Sequence, residues 1–211
     1  MIKISASFDD GSAEDWEIAR LMEKYKIDTV FYIPVNWQKY NLEKGNQPLT
    51  EDQVFDIADR FEIGSHGVNH ELLTRVDEQI QIDEILGSRQ YWRSKGIVVS
   101  KFCYPRGYYN TDIKEIVKGS GYDMARTTRV AEITPAIDPF ETHTTVHVGL
   151  DRKEYGSDWY TFAVKKLDEA LSRVDEDLDY HFWGHGYEIK KNDEWHKFEK
   201  FLELLSERTR S

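Results

Sequence analysis

The sequence predicts an α/β fold, in which a parallel sheet, flat or closed into a barrel, carries helices on its outside. Two observations support this prediction. Apolar runs of strand character alternate with segments of helical periodicity about seven times along the 211 residues. Most of the chemically reactive side chains follow directly after predicted strands, and parallel folds gather their functional groups at the carboxyl ends of strands.

The predicted strands are short runs rich in β-branched and aromatic residues. In the first, every second residue from Ile2 to Phe8 is apolar, so these side chains share one face. Prolines stop the second and fourth strands, at Pro34 and Pro105. The predicted strands are residues 2–8, 28–33, 61–64, 101–104, 122–127, 144–148 and 180–183.

The helices are predicted from apolar stripes that follow a capping residue. Ser12 and Thr50 are the predicted caps of helices that end at residues 25 and 60. The other predicted helices are residues 76–94, 111–118, 157 or 158 to 174, and 193–208. Residues 129–142 hold two prolines and are predicted to form a loop. Because no repeat or linker interrupts the pattern, we expect one domain over residues 1–211.

Composition narrows the class of partner. The net charge of −11 argues against a nucleic-acid binder, which needs clustered Lys and Arg. It also disfavours a strongly anionic polymer as substrate unless a local basic patch exists, so a neutral substrate, or one that becomes cationic, is the simpler expectation. Cys103 is the single cysteine, which excludes an intramolecular disulfide. The first residues lack the pattern of a signal peptide and no apolar run approaches bilayer length. We therefore expect a cytoplasmic protein without a membrane span, with export as the alternative if a leader was removed.

Two carboxylates and two imidazoles stand at predicted strand ends. Asp9 and Asp10 end the first strand, and His66 and His70 follow the third. Adjacent residues of an extended chain point to opposite sides, so we expect one carboxylate to bind a divalent metal and the other to face the substrate. The two imidazoles would share a face if their segment were helical. His185 follows the last strand and is a candidate proton donor, and together these residues indicate a metallohydrolase.

Each signal also has a plain structural interpretation. An Asp-Asp-Gly sequence after a strand is often only a turn and helix start. A His-x3-His pair occurs by chance on surface helices. Both patterns in one chain, each at a strand end, favour the functional interpretation.

Five segments resemble conserved motifs of the polysaccharide deacetylase, or NodB-homology, family. They are residues 7–11 (Ser-Phe-Asp-Asp-Gly), 29–33, 65–70 (Ser-His-Gly-Val-Asn-His), 102–107 and 182–185. The resemblance implies a distorted (β/α) barrel, similar to a TIM barrel, of about seven parallel strands. It also implies a hydrolase that removes the acetyl group from an N-acetylated sugar with a divalent metal, usually Zn²⁺, with Co²⁺ or another ion as the alternative.

The resemblance assigns roles by position. Asp9 is implied as the general base and His185 as the general acid. The implied metal ligands are Asp10, His66 and His70. The backbone N–H near Arg106 is implied to bind the oxyanion. The neighbouring Tyr104 and Pro105 belong to the same motif and are candidate substrate-binding residues, Tyr104 as a ring that stacks on a sugar, with ordinary packing as the alternative.

The sequence departs from the family in two motifs. Cys103 stands where the family commonly has an Arg that faces the catalytic Asp, and Arg126 is the candidate for the missing charge, with a plain surface Arg as the alternative. The fourth motif, an Asp–Trp pair that orients the catalytic His, has no clear match, since Asp158 stands at a predicted helix start. Trp183 is expected either to line the pocket for the acetyl methyl group or to belong to the core.

The remaining histidines are expected to be structural. His181 is predicted to be a packed strand residue with a satisfied hydrogen bond, and His143 and His147 to be structural or exposed.

Three functions follow in order of preference. The first is deacetylation of an N-acetylated saccharide, or of a precursor such as a nucleotide sugar or a lipid-linked sugar. The second keeps the metal site but hydrolyses a non-sugar amide or ureide. The third is a non-catalytic carbohydrate-binding relative, which the presence of Asp9 and His185 disfavours. No sequence feature sets the oligomeric state.

Overall fold

The computed structural model describes residues 1–209, in which seven parallel strands form one curled sheet. The strands are β1 (Ile2–Asp9), β2 (Asp28–Ile33), β3 (Glu62–Ser65), β4 (Lys101–Cys103), β5 (Met124–Arg126), β6 (Val146–His147) and β7 (Leu178–Gly184). Their order across the sheet is β5-β4-β3-β2-β1-β7-β6. The predicted distorted (β/α) barrel is therefore confirmed.

Eight α-helices surround the sheet within the described residues. They are α1 (Asp15–Tyr25), α2 (Trp37–Glu43), α3 (Glu51–Arg60), α4 (Glu78–Ser94), α5 (Thr111–Gly119), α6 (Trp159–Ser172), α7 (Gly186–Lys191) and α8 (Trp195–Thr209). Helix α8 contacts α1, α6 and α7. None of the helices within residues 1–209 has the length and apolar character needed to cross a bilayer.

The gap between the edge strands β5 and β6 is spanned by residues 142–145. Thr142 pairs with Arg126 of β5 through a parallel bridge, and its amide donates to the Ala125 carbonyl at 3.0 Å. Three residues later, the Thr145 amide donates to the His181 carbonyl of β7 at 2.7 Å. This stretch therefore bonds to both sides of the sheet, and the regular part of the predicted strand 144–148 shortens to β6.

The two faces of the sheet differ in character. On β1, Phe8 packs against Phe31, Phe182 and Phe198 in the layer between sheet and helices. Ser5 and Ser7 of the same strand face the barrel interior, where both hydroxyls bond to His181. The alternation predicted for this strand is confirmed, and the barrel has a polar interior.

One predicted cap is confirmed and another is wrong. Thr50 and Gln53 form a reciprocal capping box at the start of α3. Helix α1 begins only at Asp15, after a turn, because Ser12 bridges to Pro48 and its hydroxyl donates to the buried Asp15 carboxylate at 3.4 Å. Helices α2 and α7 were not predicted.

Candidate functional site

The side chains predicted to be functional converge at the carboxyl ends of the strands. They line one cavity of about 700 Å³, which we call the strand-end cavity. Of the predicted residues, the cavity is lined by Asp9, Asp10, His66, His70, Arg106, Trp183 and His185.

Asp10, His66 and His70 form a buried cluster suited to a divalent metal. The Asp10 Oδ1 atom lies 3.6 Å from Nε2 of His66 and 3.5 Å from Nε2 of His70. This Oδ1 atom has no hydrogen-bond partner among residues 1–209, and burial raises the pKa of the carboxyl. A cation bound here would supply the missing partner, and two nitrogens with one oxygen are a common donor set for catalytic zinc.

A left-handed backbone at Asp10 turns both carboxylates into the strand-end cavity. Its φ is 82°, and its position is fixed because its amide donates to the Tyr32 carbonyl at 3.0 Å and its carbonyl accepts from Asn41 at 2.8 Å. The expectation that Asp9 and Asp10 point to opposite sides of an extended chain is therefore wrong. The strand has already ended at Asp9, and the turn that follows changes the direction of the second side chain.

The two histidines meet through a loop rather than a helix. Gly67 and His70 both have positive φ, 79° and 58°, so the helical condition stated for this pair does not hold. The buried Glu84 carboxylate of α4 holds the loop, accepting from the amides of Val68 at 3.0 Å and Asn69 at 2.9 Å. At Gly67 a Cβ atom would stand 2.8 Å from Glu84 Oε2, so the close approach of this carboxylate favours glycine.

Both imidazoles are positioned by contacts with neighbouring groups. His66 Nδ1 donates to the Cys103 carbonyl at 2.8 Å, which leaves the lone pair of Nε2 directed at the cluster. The His70 ring packs on Tyr40 with centroids 4.6 Å apart. Burial lowers the pKa of His70 to about 2, so this imidazole is unprotonated at neutral pH.

Asp9 forms a buried ion pair with Arg126. The guanidinium donates to Asp9 Oδ2 and lies over the rings of Trp183 and Tyr32, with its central carbon 4.7 and 5.1 Å from their centroids. Burial opposes ionisation of Asp9, but Arg126 and nearby imidazoles outweigh it and hold the pKa of the carboxyl below its usual value. The prediction that Arg126 supplies the missing charge beside Asp9 is confirmed as a contact. Cys103 touches the same pair, its Sγ 2.9 Å from the guanidinium.

His185 is held by a carboxylate that the sequence analysis missed. Its Nδ1 lies 2.7 Å from Glu188 Oε2, and His147 Nε2 lies 2.7 Å from the same oxygen. Burial disfavours the protonated imidazole, but Glu188 outweighs it and raises the pKa of His185 to about 9. Its Nε2 faces Asp10 Oδ2 at 3.7 Å, and Tyr187 donates to that oxygen at 3.2 Å.

His147 therefore lies at the site. Of the two expectations for it, exposure is wrong because the residue is buried, and a structural role stays a prediction. It stacks on Trp183 with centroids 4.0 Å apart. No sequence signal links residue 147 to the last strand. Glu188, by contrast, stands three positions after His185 and was open to prediction once a helix start was assigned there. His143 lies elsewhere, bonded to Arg129 and the Thr134 carbonyl.

Three of the predicted substrate-binding residues do not line the cavity: Tyr104, Pro105 and Arg126, of which Arg126 contacts Asp9 instead. The Tyr104 side chain packs on Tyr109 and donates to the Phe140 carbonyl at 3.0 Å, so its prediction as a substrate-binding ring is wrong. Pro105 is buried and does not line the cavity. Arg106 does, and its left-handed backbone, with φ of 59°, follows from the tight turn in which Gly107 donates to the Tyr104 carbonyl.

The remaining expectations about polar residues are confirmed. His181 is bonded on both ring nitrogens, to Ser5 and Ser7 at 2.8 Å each. Asp158 caps α6 by accepting from the amides of Tyr160 and Thr161, so it has no place in the site.

A sequence model described as polysaccharide deacetylase matches residues 2–125, more than half of the chain. The chain belongs to the polysaccharide deacetylase family. A comparison with curated proteins finds no match.

Solved structures of polysaccharide deacetylases share the fold. A putative polysaccharide deacetylase from Mycobacterium smegmatis superposes with a TM-score of 0.70 at 11% identity, over 97% of this chain and 84% of that one. The deacetylase PplD from Streptococcus pyogenes, solved in complex with acetate, has a TM-score of 0.52 at 21% identity, over 58% of this chain and 54% of that one. This chain therefore matches only about half the length of PplD.

The same fold also occurs in a protein described as inactive. BA3943 from Bacillus anthracis, a CE4 family pseudoenzyme, has a TM-score of 0.61 at 12% identity, over 98% of this chain and 61% of that one. Fold similarity alone therefore does not establish activity, which depends on the residues of the site.

Proposed function

We propose that this polysaccharide deacetylase relative is a metal-dependent hydrolase that removes the acetyl group from an N-acetylated saccharide and releases acetate. One observation carries the proposal. The cluster of Asp10, His66 and His70 adjoins both candidates: the ion-paired Asp9 carboxylate lies within 4.8 Å of His66, and Nε2 of His185 lies 3.7 Å from Asp10 Oδ2. This arrangement supplies a base and an acid beside one metal site.

The metal would be held by Asp10 Oδ1 and the Nε2 atoms of His66 and His70. A divalent ion there, with Zn²⁺ or Co²⁺ suited to the two nitrogens and one oxygen, would polarise the acetyl carbonyl and make water more acidic.

Asp9 is proposed as the general base. Arg126 keeps the carboxylate ionised by occupying Oδ2, while Oδ1 is buried and has no hydrogen-bond partner among residues 1–209. That free oxygen can accept the proton of the water that attacks the carbonyl. The ion pair also fixes the carboxylate in one orientation, which a base needs if it is to meet water at a defined distance.

His185 is proposed as the general acid. Its Nδ1 is committed to Glu188, so the proton on Nε2 is the one that faces the cavity. Because Glu188 stabilises the imidazolium, His185 is protonated at neutral pH and can donate to the departing amine. The amide near Arg106 is proposed to stabilise the oxyanion, and Trp183 to wall the acetyl group, since Arg106 and Trp183 both line the cavity.

The test is acetate release from short N-acetylglucosamine oligomers by the zinc-loaded protein and two variants. Asp9→Asn and His185→Ala should each lower kcat by about 10²-fold or more with zinc content unchanged. Asp59→Asn, an exposed residue on α3, is the matched control and should retain full activity. Full activity in Asp9→Asn would refute the mechanism.

A further inference from the structure

Four basic side chains border the strand-end cavity at its solvent side. We call Lys44, Arg106, Arg152 and Lys191 the basic rim. They come from four separate segments: the end of α2, the turn after β4, the loop after β6, and the end of α7. Lys44, Arg106 and Lys191 are exposed, whereas the acidic residues of the same lining, Asp9 and Asp10, are buried.

The cations of the basic rim form few ion pairs with carboxylates of the described residues. Within residues 1–209, Lys44, Arg106 and Lys191 form no salt bridge, whereas Arg152 has Glu154 at 3.6 Å and donates to the Thr128 carbonyl at 3.3 Å. Elsewhere on this acidic surface, cations commonly meet a carboxylate. Lys190, the neighbour of Lys191, contacts Glu14, and Lys39 lies 3.8 Å from Glu43.

A neutral sugar would leave this charge without a function. The carboxylates deeper in the cavity do not offset it, because Asp9 is paired with Arg126 and Asp10 faces the imidazole cluster. A phosphoryl group carries up to two negative charges and offers several oxygens, which suits guanidinium forks and lysine ammonium groups together. A single carboxylate would match one Arg but not four cations.

We infer that the saccharide processed here carries a phosphoryl group, which the basic rim binds while the acetyl group reaches the metal cluster. The inference rests on the proposed function, and it names the substrate class as a phosphorylated N-acetylated sugar. The phosphoryl group can belong to a free sugar phosphate, to a nucleotide diphosphate sugar or to a lipid diphosphate sugar, and the experiment below separates these sources.

The test measures binding and turnover separately on the zinc-loaded protein. The probes are N-acetylglucosamine, its 1-phosphate, its uridine diphosphate derivative and a short prenyl diphosphate derivative. The 1-phosphate should bind at least tenfold more tightly than the neutral sugar, and raising the salt from 0.05 to 0.5 M should reduce that preference. The diphosphate probes show which source binds most tightly.

Variants locate the preference on the protein. Arg106→Gln and Lys191→Gln should each lower the affinity for the 1-phosphate roughly threefold to fivefold, and the double variant more than tenfold, with zinc content unchanged. Lys190→Gln, which removes an adjacent charge outside the cavity, should leave the affinity unchanged.

The outcomes distinguish the two proposals. This inference would be overturned, even if acetate were released, by equal affinity for the neutral and the phosphorylated sugar. It would also be overturned if the rim variants and Lys190→Gln had the same affinity for the 1-phosphate. In a third outcome, the protein prefers the 1-phosphate, loses that preference in the rim variants and yet releases no acetate from any probe. That result would support phosphoryl binding by the basic rim and refute the proposed deacetylase activity.

Discussion

At the scale of single residues, the site depends on two charged side chains, each of which stabilises one of the proposed catalytic residues. Arg126 pairs with Asp9, and Glu188 holds His185. Arg126 was predicted as a candidate because the third motif lacks its usual charge and the next strand ends in an arginine. His147 was not, because no pattern in the chain links it to His185 before the ends of β6 and β7 are placed side by side. Glu188 was missed because no helix start was assigned after His185.

Arg126→Gln should raise the pKa of Asp9, since burial would then act on the carboxylate without its main opposing charge. The acid limb of the kcat/KM profile reports protonation of the base, so it should move to higher pH. Removing one member of a buried ion pair should also lower the free energy of unfolding by about 3 kcal/mol. Acetate release measured from pH 4 to 9 and urea unfolding check both effects. An unmoved acid limb would exclude Asp9 as the base that titrates there.

Glu188→Gln should lower the pKa of His185, because the carboxylate is the main group that raises it. His185 then loses its proton at a lower pH, so the basic limb of the pH profile of kcat should move to lower pH. We expect kcat to fall roughly 10- to 100-fold, with KM and zinc content little changed. If kcat falls while the basic limb stays in place, Glu188 only supports the fold at this point.

At the scale of elements, the ends of strands and the segments after them decide the site. Alternation and caps in the sequence predicted the strands and most helices, because those signals are local. Helix α2 was missed because its buried Asn41 bonds to the Asp10 carbonyl across the chain, which is a tertiary contact. The geometry of Asp10 and His70 was missed for a similar reason, since the fold holds both in left-handed conformations that non-glycine residues seldom adopt.

Glu84→Gln tests how helix α4 supports the metal cluster. The carboxylate accepts from several N–H groups of the loop between His66 and His70, and the amide can accept through one oxygen only. Zinc affinity should fall roughly 10- to 100-fold, measured by competition with a chelator. Asp83→Asn, an exposed change on the same helix, should leave it unchanged. Equal affinities in both variants would show that the loop holds its shape without Glu84.

At the scale of the whole molecule, net charge proved a poor guide to the cavity. The value of −11 favoured a neutral substrate unless a basic patch existed, and the basic rim is such a patch. Composition could not reveal it, because its four members stand in four distant segments. The resemblance to the polysaccharide deacetylase family, by contrast, predicted the barrel, since the motifs follow strands in the order that the fold requires.

The polar interior of the barrel should make the protein sensitive to acid. Burial lowers the pKa of His181 from 6.5 to about 3, so the unfolded chain binds more protons between these values. Above pH 6.5, His181 does not lower the free energy of unfolding. As the pH falls from 6.5 toward 3, its protonation in the unfolded chain lowers the free energy of unfolding by about 1.4 kcal/mol per pH unit. The free energy of unfolding of His181→Gln should therefore fall by about 2.5 kcal/mol less than that of the native protein between pH 7 and 4.5, measured by urea unfolding. His196→Gln, an exposed change, should match the native protein.

The central claim is that Asp10, His66 and His70 form a metal site, and a calorimetric zinc titration of chelator-treated protein tests it most directly. We expect one equivalent of zinc to bind to the native protein and to Asp9→Asn, and His66→Ala to lose that binding. Absence of zinc binding, or binding that survives His66→Ala undiminished, would contradict the account.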